Sequence, residues 1–285
     1  MQQISPPKTM NYPYFKCPVC SGHLSRVINT YVCAKNHSFD LSKEGYVNLL
    51  LSNQKNSLNP GDSQEMIQAR RGFLEKGFYD FIAKKLTDTI KKNVDLKKPL
   101  SIIDIGCGEG YYLNKIMLKI PGQACGVDIS KSAIQKAAKK YPEITWAIAT
   151  SFHLPITEKT QNLIINTFSP LCFEEFIRIA EDKGKLICVM PASEHLLEVK
   201  KIMYDKIKPT EDFSEKLKDF PELHLVETVH TSKKLTLEKE DLKNLFMMTP
   251  IYWNASPTAR KTLDELDSFE VTLAVNIVTI EIQKD

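Results

Sequence analysis

Two groups of residues in this 285-residue chain could do chemistry. Near the N-terminus, Cys17-Pro18-Val19-Cys20 is followed by Cys33-Ala34-Lys35-Asn36-His37, a C-x2-C-x12-C-x3-H spacing. Tetrahedral zinc takes four thiolate or imidazole ligands, which two short turns can each supply in pairs. His23, just beyond Cys20, is a rival fourth ligand, ranked behind His37 because Cys33 and His37 already form a pair. With all four positions filled by protein, the expected site is structural, and metal binding should supply much of the folding free energy of so short a segment. Cys107, Cys125, Cys172 and Cys188 are scattered through apolar stretches and read as buried reduced thiols. A disulfide framework is not expected.

The second group is Asp104-Ile105-Gly106-Cys107-Gly108-Glu109-Gly110, which follows the apolar run Leu100-Ser101-Ile102-Ile103. Glycines in such a turn let a ligand approach the backbone closely. The third glycine comes one residue too early for a dinucleotide fingerprint. The D-x-G-x-G-x-G pattern resembles instead the first motif of S-adenosylmethionine-dependent methyltransferases of the Rossmann-like type. That resemblance implies a methyl donor over Asp104, Gly106, Gly108 and Gly110. Asp128, at the end of the next apolar run, suits the two hydroxyls of a ribose. Cys107 has no histidine beside it to activate a thiol and reads as a loop filler.

The elements around these residues alternate. Helices are expected from Asp62 to about Glu75, capped by Asp62 or Ser63, and from about Tyr79 to Lys92, where Ile82, Leu86 and Ile90 recur. Strands are read at Leu100–Ile105, Ala124–Asp128, Ile144–Ala149, Leu163–Asn166 and Leu186–Met190. Helices lie between them, one capped by Ser130 and one from about Phe173 to Glu181. Strands alternating with helices predict an α/β, doubly wound domain with a parallel sheet, and the resemblance of the glycine turn implies that it is a Rossmann-like methyltransferase domain. Beyond Pro191 a further helix is expected, and Val271–Ile282 reads as a long antiparallel strand. In the small N-terminal zinc-binding domain, Thr30-Tyr31-Val32 reads as a strand. The polar, turn-rich stretch before Asp62 divides the chain into a zinc-binding, RNA-recognition domain (1–52), a linker (53–60) and a catalytic domain (61–285).

Length allows one large or two unequal domains at about 150 residues each, and 42% hydrophobic with 26% charged residues is ordinary globular composition. No apolar run approaches the roughly 18 residues of a membrane span. The polar, Pro-containing start from Met1 to Tyr14 carries no secretory pattern, so a cytoplasmic protein is expected. The net charge of +3 is unevenly spread: residues 1–60 hold six basic and two acidic side chains, the rest 32 and 33. A basic head before a near-neutral body suggests a polyanionic partner, although a few solvated lysines would give the same count.

Lys43-Glu44-Gly45-Tyr46-Val47-Asn48-Leu49-Leu50, Gly61-Asp62-Ser63 through Arg70-Arg71, Asp104 through Tyr112, and Pro191 through Lys200 together resemble the bacterial 23S ribosomal RNA guanine-N1 methyltransferases. The resemblance runs to about residue 210 and implies zinc at Cys17, Cys20, Cys33 and His37. It further implies donor contacts from Tyr79, Glu109, Gly110 and His195, and 23S rRNA as partner, with a homodimer as a possible assembly. Phe168 and Pro170 match the aromatic and proline at the end of the fourth strand, where such enzymes receive the target base. Asn166 stands where an arginine is usual, and Phe78 where a histidine is.

Methyl transfer is an in-line displacement, so the protein chiefly positions two reactants and excludes water. Guanine N1 must also lose a proton, and Glu109, Asp62 and His195 are the candidate acceptors. Each has another reading: a donor contact, a helix cap and a hydrogen-bond partner, respectively. A flipped base could stack on Phe168 or Tyr79, which core packing explains equally well. Arg70 and Arg71 could meet phosphates or simply form a solvated helix face. A small-molecule methyltransferase with a zinc knuckle and a non-catalytic zinc RNA-binding protein are the alternative functions.

Overall fold

A computed structural model describes residues 12–54, 61–204, 206–207 and 213–284. The N-terminal unit is a three-stranded antiparallel sheet, β1 (Leu24–Val27), β2 (Thr30–Cys33) and β3 (Ser38–Asp40). The body contains β4 (Tyr46–Asn48), α1 (Gln64–Glu75), α2 (Asp80–Asn93), β5 (Leu100–Ile105), α3 (Tyr111–Met117), β6 (Gly122–Asp128), α4 (Lys131–Lys140) and β7 (Thr145–Ile148). It continues with β8 (Gln161–Thr167), α5 (Phe173–Ile179), β9 (Ala180–Pro191), α6 (Leu197–Met203) and β10 (Leu223–Glu238). The chain ends with α7 (Lys239–Met247), α8 (Pro250–Trp253), α9 (Pro257–Asp264) and β11 (Ser268–Ile282).

The large sheet runs β10-β11-β9-β8-β5-β6-β7-β4. From β9 to β4 all neighbours are parallel, and β11 joins both β9 and β10 antiparallel. β5 is buried along its whole length, as a central strand covered on both faces must be. The chain leaves β5 toward β6 and β7, then returns to lay β8 on the other side. The order therefore reverses between β5 and β8, where ligands of open α/β sheets bind.

Several expectations are extended or corrected. Ser63, not Asp62, caps α1: its hydroxyl accepts from Met66 N at 3.2 Å. β10, which the sequence reading did not include, forms a long hairpin with β11. Tyr46–Asn48, on the zinc side of the 1–52 boundary, pairs parallel with β7 as an edge strand of the large sheet. The 53–60 linker lies, beyond Gln54, outside the described residues. No described helix is long and apolar enough to cross a membrane.

The two faces of the sheet are covered differently. On one, Phe73, Ile82, Leu86, Leu113, Ile134 and Phe246 from the helices pack over Ile102, Leu163, Ile187 and Val275. On the other, α5 is joined by the zinc unit: Tyr12, Phe15, Leu24 and Tyr31 pack into one cluster with Ile103, Ile105, Val127 and Ala147. The zinc unit thus occupies part of the layer that helices fill elsewhere in the fold. Lys16 N donates to Pro155 O (3.0 Å), Thr157 N to Tyr14 O (2.8 Å), and Tyr12 OH to Gln161 Oε1 (2.6 Å).

Candidate active site and metal centre

Cys17, Cys20, Cys33 and His37 bring one ligand atom each within 4.8 Å of one another. Cys17 Sγ and Cys33 Sγ each lie 3.4 Å from His37 Nδ1, and Cys20 Sγ lies 3.7 Å from Cys33 Sγ. Bonds of about 2.3 Å to sulfur and 2.0–2.1 Å to nitrogen make tetrahedral edges of roughly 3.6–3.8 Å. The donor set and spacing fit one structural zinc, held through Nδ1. His23 is exposed and outside the cluster; its backbone bridges to Lys16. Three of the ligands sit on turns fixed by backbone hydrogen bonds: Ser21 N to Cys17 O (2.8 Å) and Asn36 N to Cys33 O (2.9 Å).

The second site is a cavity of about 680 Å³ at the reversal between β5 and β8. It gathers Tyr79, Asp104, Gly106, Gly108, Glu109, Asp128, Phe168, Pro170, His195 and Arg70 on one wall or another. Gly110 is at the N-terminus of α3, beside this wall, and Arg71 points away, half-exposed and paired with Glu75 at 2.9 Å.

The glycines have different tasks. A Cβ on Gly106 would sit 1.9 Å from Ser169 Oγ, and one on Gly110 2.3 Å from Trp146 Cη2. Those two make room for protein, whereas Gly108 faces open cavity, its nearest neighbour being Arg70 Nη1 at 3.9 Å. All three have positive φ, which glycine adopts without steric cost.

Asp128 ends β6 with one carboxylate oxygen accepting from Gly108 N and the other from Ser130 N, both at 2.8 Å. Burial pushes its pKa up, and those two N–H groups oppose the shift. Asp104 is 1% exposed, and its Oδ1 has no partner. Burial, with the Asp128 charge, raises its pKa to about 8. Tyr112 OH and Thr167 Oγ1, also on the cavity wall, are likewise buried without partners. Buried polar atoms in native proteins are nearly always hydrogen-bonded, so a cluster of three exceptions on one wall marks a place for a polar ligand.

Charge decides which ligand. The described lining residues include four carboxyl groups (Asp62, Asp104, Glu109 and Asp128), one guanidinium (Arg70), and a neutral imidazole, His195. Burial lowers the His195 pKa to about 4, and its Nδ1 accepts from Ala274 N at 3.1 Å. When neutral it therefore carries its proton on Nε2 and can donate there but not accept. Such a cavity repels a pyrophosphate and suits a cationic nucleoside. S-adenosylmethionine, a sulfonium with a ribose and an amino-acid tail, fits these donors and acceptors.

Phe168, 40% exposed, stands at the mouth with its ring 6.1 Å from Tyr79, 6.4 Å from Tyr112 and 6.2 Å from His195. Its φ of 53° is left-handed, a strained backbone for a bulky residue and one that persists only where its surroundings impose it. Phe168 N donates to Val189 O, and Asn166 Nδ2 bridges Ile105 O (3.3 Å) and Pro170 O (3.1 Å), clamping the turn. Asn166 is buried beneath the turn rather than at the mouth. Tyr112, Thr167 and Asn166 are functional-site residues that sequence reasoning did not single out for these roles.

Residues 96–247 match a family model described as a methyltransferase domain, and the chain belongs to that family. Residues 15–58 match the model described as RlmA, N-terminal, a zinc ribbon. The chain is 29% identical over 280 residues to a Bacillus subtilis (strain 168) protein provisionally named as a 23S rRNA (guanine-N(1)-)-methyltransferase, covering 95% of this chain and 98% of that one. It is 28% identical over 269 residues to the Streptomyces fradiae 23S rRNA (guanine(748)-N(1))-methyltransferase, covering 92% and 94%. A Micromonospora griseorubida protein with the same provisional name as the first is 28% identical, over 86% and 88%. The fold is thus a Rossmann-like methyltransferase behind a zinc ribbon, and the enzyme uses S-adenosylmethionine.

Proposed function

We propose that this enzyme transfers the methyl group of S-adenosylmethionine to N1 of a guanine in a 23S rRNA hairpin loop. The observation that carries the reading is the cavity itself, with unpartnered polar atoms on its floor and an exposed, strained Phe168 at its mouth. The near full-length relatives named for that reaction support the choice of acceptor. Residues 1–52 serve as the RNA-recognition unit and 61–285 as the methyl-transfer unit, joined through 53–60.

Bound S-adenosylmethionine supplies an electrophilic methyl group. Asp128 holds the ribose hydroxyls, Asp104, Tyr79 and the Gly106–Gly110 turn line the methionine and ribose portions, and Glu109 is a further donor contact. His195 Nε2 donates a hydrogen bond into the cavity. Phe168 and Pro170 hold the flipped base, and Arg71 meets a phosphate. Of the three candidate proton acceptors, His195 is in its donor form, which leaves Asp62 and Glu109. Burial raises the pKa of Glu109, which makes it a stronger base. A ribosomal substrate puts the enzyme in the cytoplasm. The mass in solution decides between a monomer and a homodimer.

The test is incubation with labelled donor and unmodified 23S rRNA, then nuclease mapping of the label. Label on one guanine is expected; label on small molecules alone, or none with donor bound, refutes the proposal.

A further inference from the structure

Resting on the reading of this cavity as the donor site, we propose that Arg70 binds the carboxylate of the donor's amino-acid tail, which displaces Asp62 from the guanidinium. Arg70 projects from α1 into the cavity wall, ion-paired with Asp62 through Nη1 and donating through Nη2 to Met248 O at 3.1 Å. Nη1 is the atom nearest to the open side of Gly108. The charge of Arg70 is also felt at Asp128, Tyr79 and Tyr112. Arg70 therefore stands among the residues that would surround the donor, while its neighbour Arg71 faces outward.

S-adenosylmethionine has one anionic group, and a carboxylate entering a cavity already lined by Asp62, Glu109 and Asp128 is repelled unless a cation meets it. Arg70 is the one cationic side chain among the described residues that line the cavity. Its planar fork suits bidentate capture of a carboxylate. Asp62 already meets Nη1 with the same functional group. The Asp62 side chain is 31% exposed, so giving up a partly solvated ion pair costs little, and the incoming carboxylate replaces it at an arginine fixed by the Met248 carbonyl.

Calorimetry on the full zinc-loaded chain with S-adenosylmethionine and decarboxylated S-adenosylmethionine tests this. In Arg70→Ala and Arg70→Gln the ratio of affinities for the two donors should fall about ten- to a hundred-fold relative to wild type, the worth of a charge-assisted contact. Arg70→Lys should fall between. Asp62→Asn, which removes the competing anion, should tighten S-adenosylmethionine a few-fold. Equal weakening of both donors by Arg70→Gln would make Arg70 merely structural and overturn the proposal. So would unchanged donor affinities with a salt slope of rRNA binding reduced by about one, the mark of a phosphate contact. A wild-type chain that bound neither donor would instead sink the donor-site reading itself.

Discussion

The zinc cluster and the cavity are both clusters of polar side chains set into apolar surroundings, and they differ in where their polar atoms find partners. In the cluster, three sulfurs and an imidazole nitrogen converge on one another at tetrahedral spacing, and no protein position is left open. In the cavity, Asp104 Oδ1, Tyr112 OH and Thr167 Oγ1 have no protein partner, and Asp128 spends only part of its accepting capacity on Gly108 N and Ser130 N. A closed set of donors contributes folding free energy, and an open one waits on a ligand. Backbone strain does not separate the two sites, since Phe168 is left-handed at the cavity mouth and Ser21 and Asn36 are left-handed on the turns beside Cys20 and His37.

The largest effect should follow from opening the closed site. Tyr12, Phe15, Leu24 and Tyr31 share a core with β5, β6 and β7, so the zinc unit and the sheet should melt together. Structural zinc contributes on the order of 10 kcal/mol in small domains. Even half of that, lost on chelation or in Cys20→Ser, should lower the melting temperature by roughly 10 °C or more, in one transition seen by calorimetry. A separate early transition with the main one unmoved would break the comparison, because the cluster would then stabilise only its own turns.

Next in size is Asp128→Ala. Two charge-assisted hydrogen bonds to ribose hydroxyls, at about 1.5–3 kcal/mol each, should weaken donor binding at least a hundred-fold by calorimetry while zinc content stays unchanged. Wild-type affinity in this variant would remove the ribose from Asp128.

What the sequence made legible was what local spacing encodes. The metal ligands fall within Cys17–His37 and the glycine turn within Asp104–Gly110, so short segments determine both. The alternation of strands and helices from Leu100 to Met190 was equally readable. Pairings between distant segments were not: Tyr46 lies opposite Trp146, yet Tyr46-Val47-Asn48-Leu49 reads locally as the end of the zinc unit. That same docking supplies apolar cover that the short N-terminal segment lacks by itself. β10 was missed although it alternates, because only Leu223 and Leu237 of its residues are buried and the others are half-buried or exposed. Tyr112 and Thr167 become conspicuous only when α3 and β8 bring their hydroxyls to one wall without partners.

A third effect sharpens the open side of the comparison. Asp104, with a pKa of about 8 from burial and the Asp128 charge, is protonated at neutral pH in the donor-free chain. A cationic donor favours the ionised form. Donor affinity should therefore rise with pH, by at most about tenfold per unit, and level off above about 8. Asp104→Asn should flatten that profile. In the donor-free chain this raised pKa stabilises fully below about pH 4, the unfolded value. That contribution is lost as pH rises to about 8, where thermal denaturation should show the decline ending. Donor binding independent of pH between 6 and 9 would mean that Asp104 does not meet the donor's charge.

The smallest expected effect concerns what the zinc unit does besides cover the sheet. Deleting it would uncover Ile103, Ile105 and Val127, so a truncated chain cannot separate RNA binding from folding. Exposed lysines can. Lys35 lies on the turn between Cys33 and His37, and Lys43 on the turn before β4 with its side chain 88% exposed. Each phosphate contact releases counterions and adds about 0.7–0.9 to the slope of log affinity against log salt. Lys35→Ala and Lys43→Ala should each lower the rRNA slope by about that amount, with melting temperature and donor affinity unchanged. A reduced slope would give the closed site a second task, carried by its solvent face. An unchanged slope in the double variant would leave these two lysines off the phosphates, and RNA contact would fall to Arg71 and the rim around Phe168.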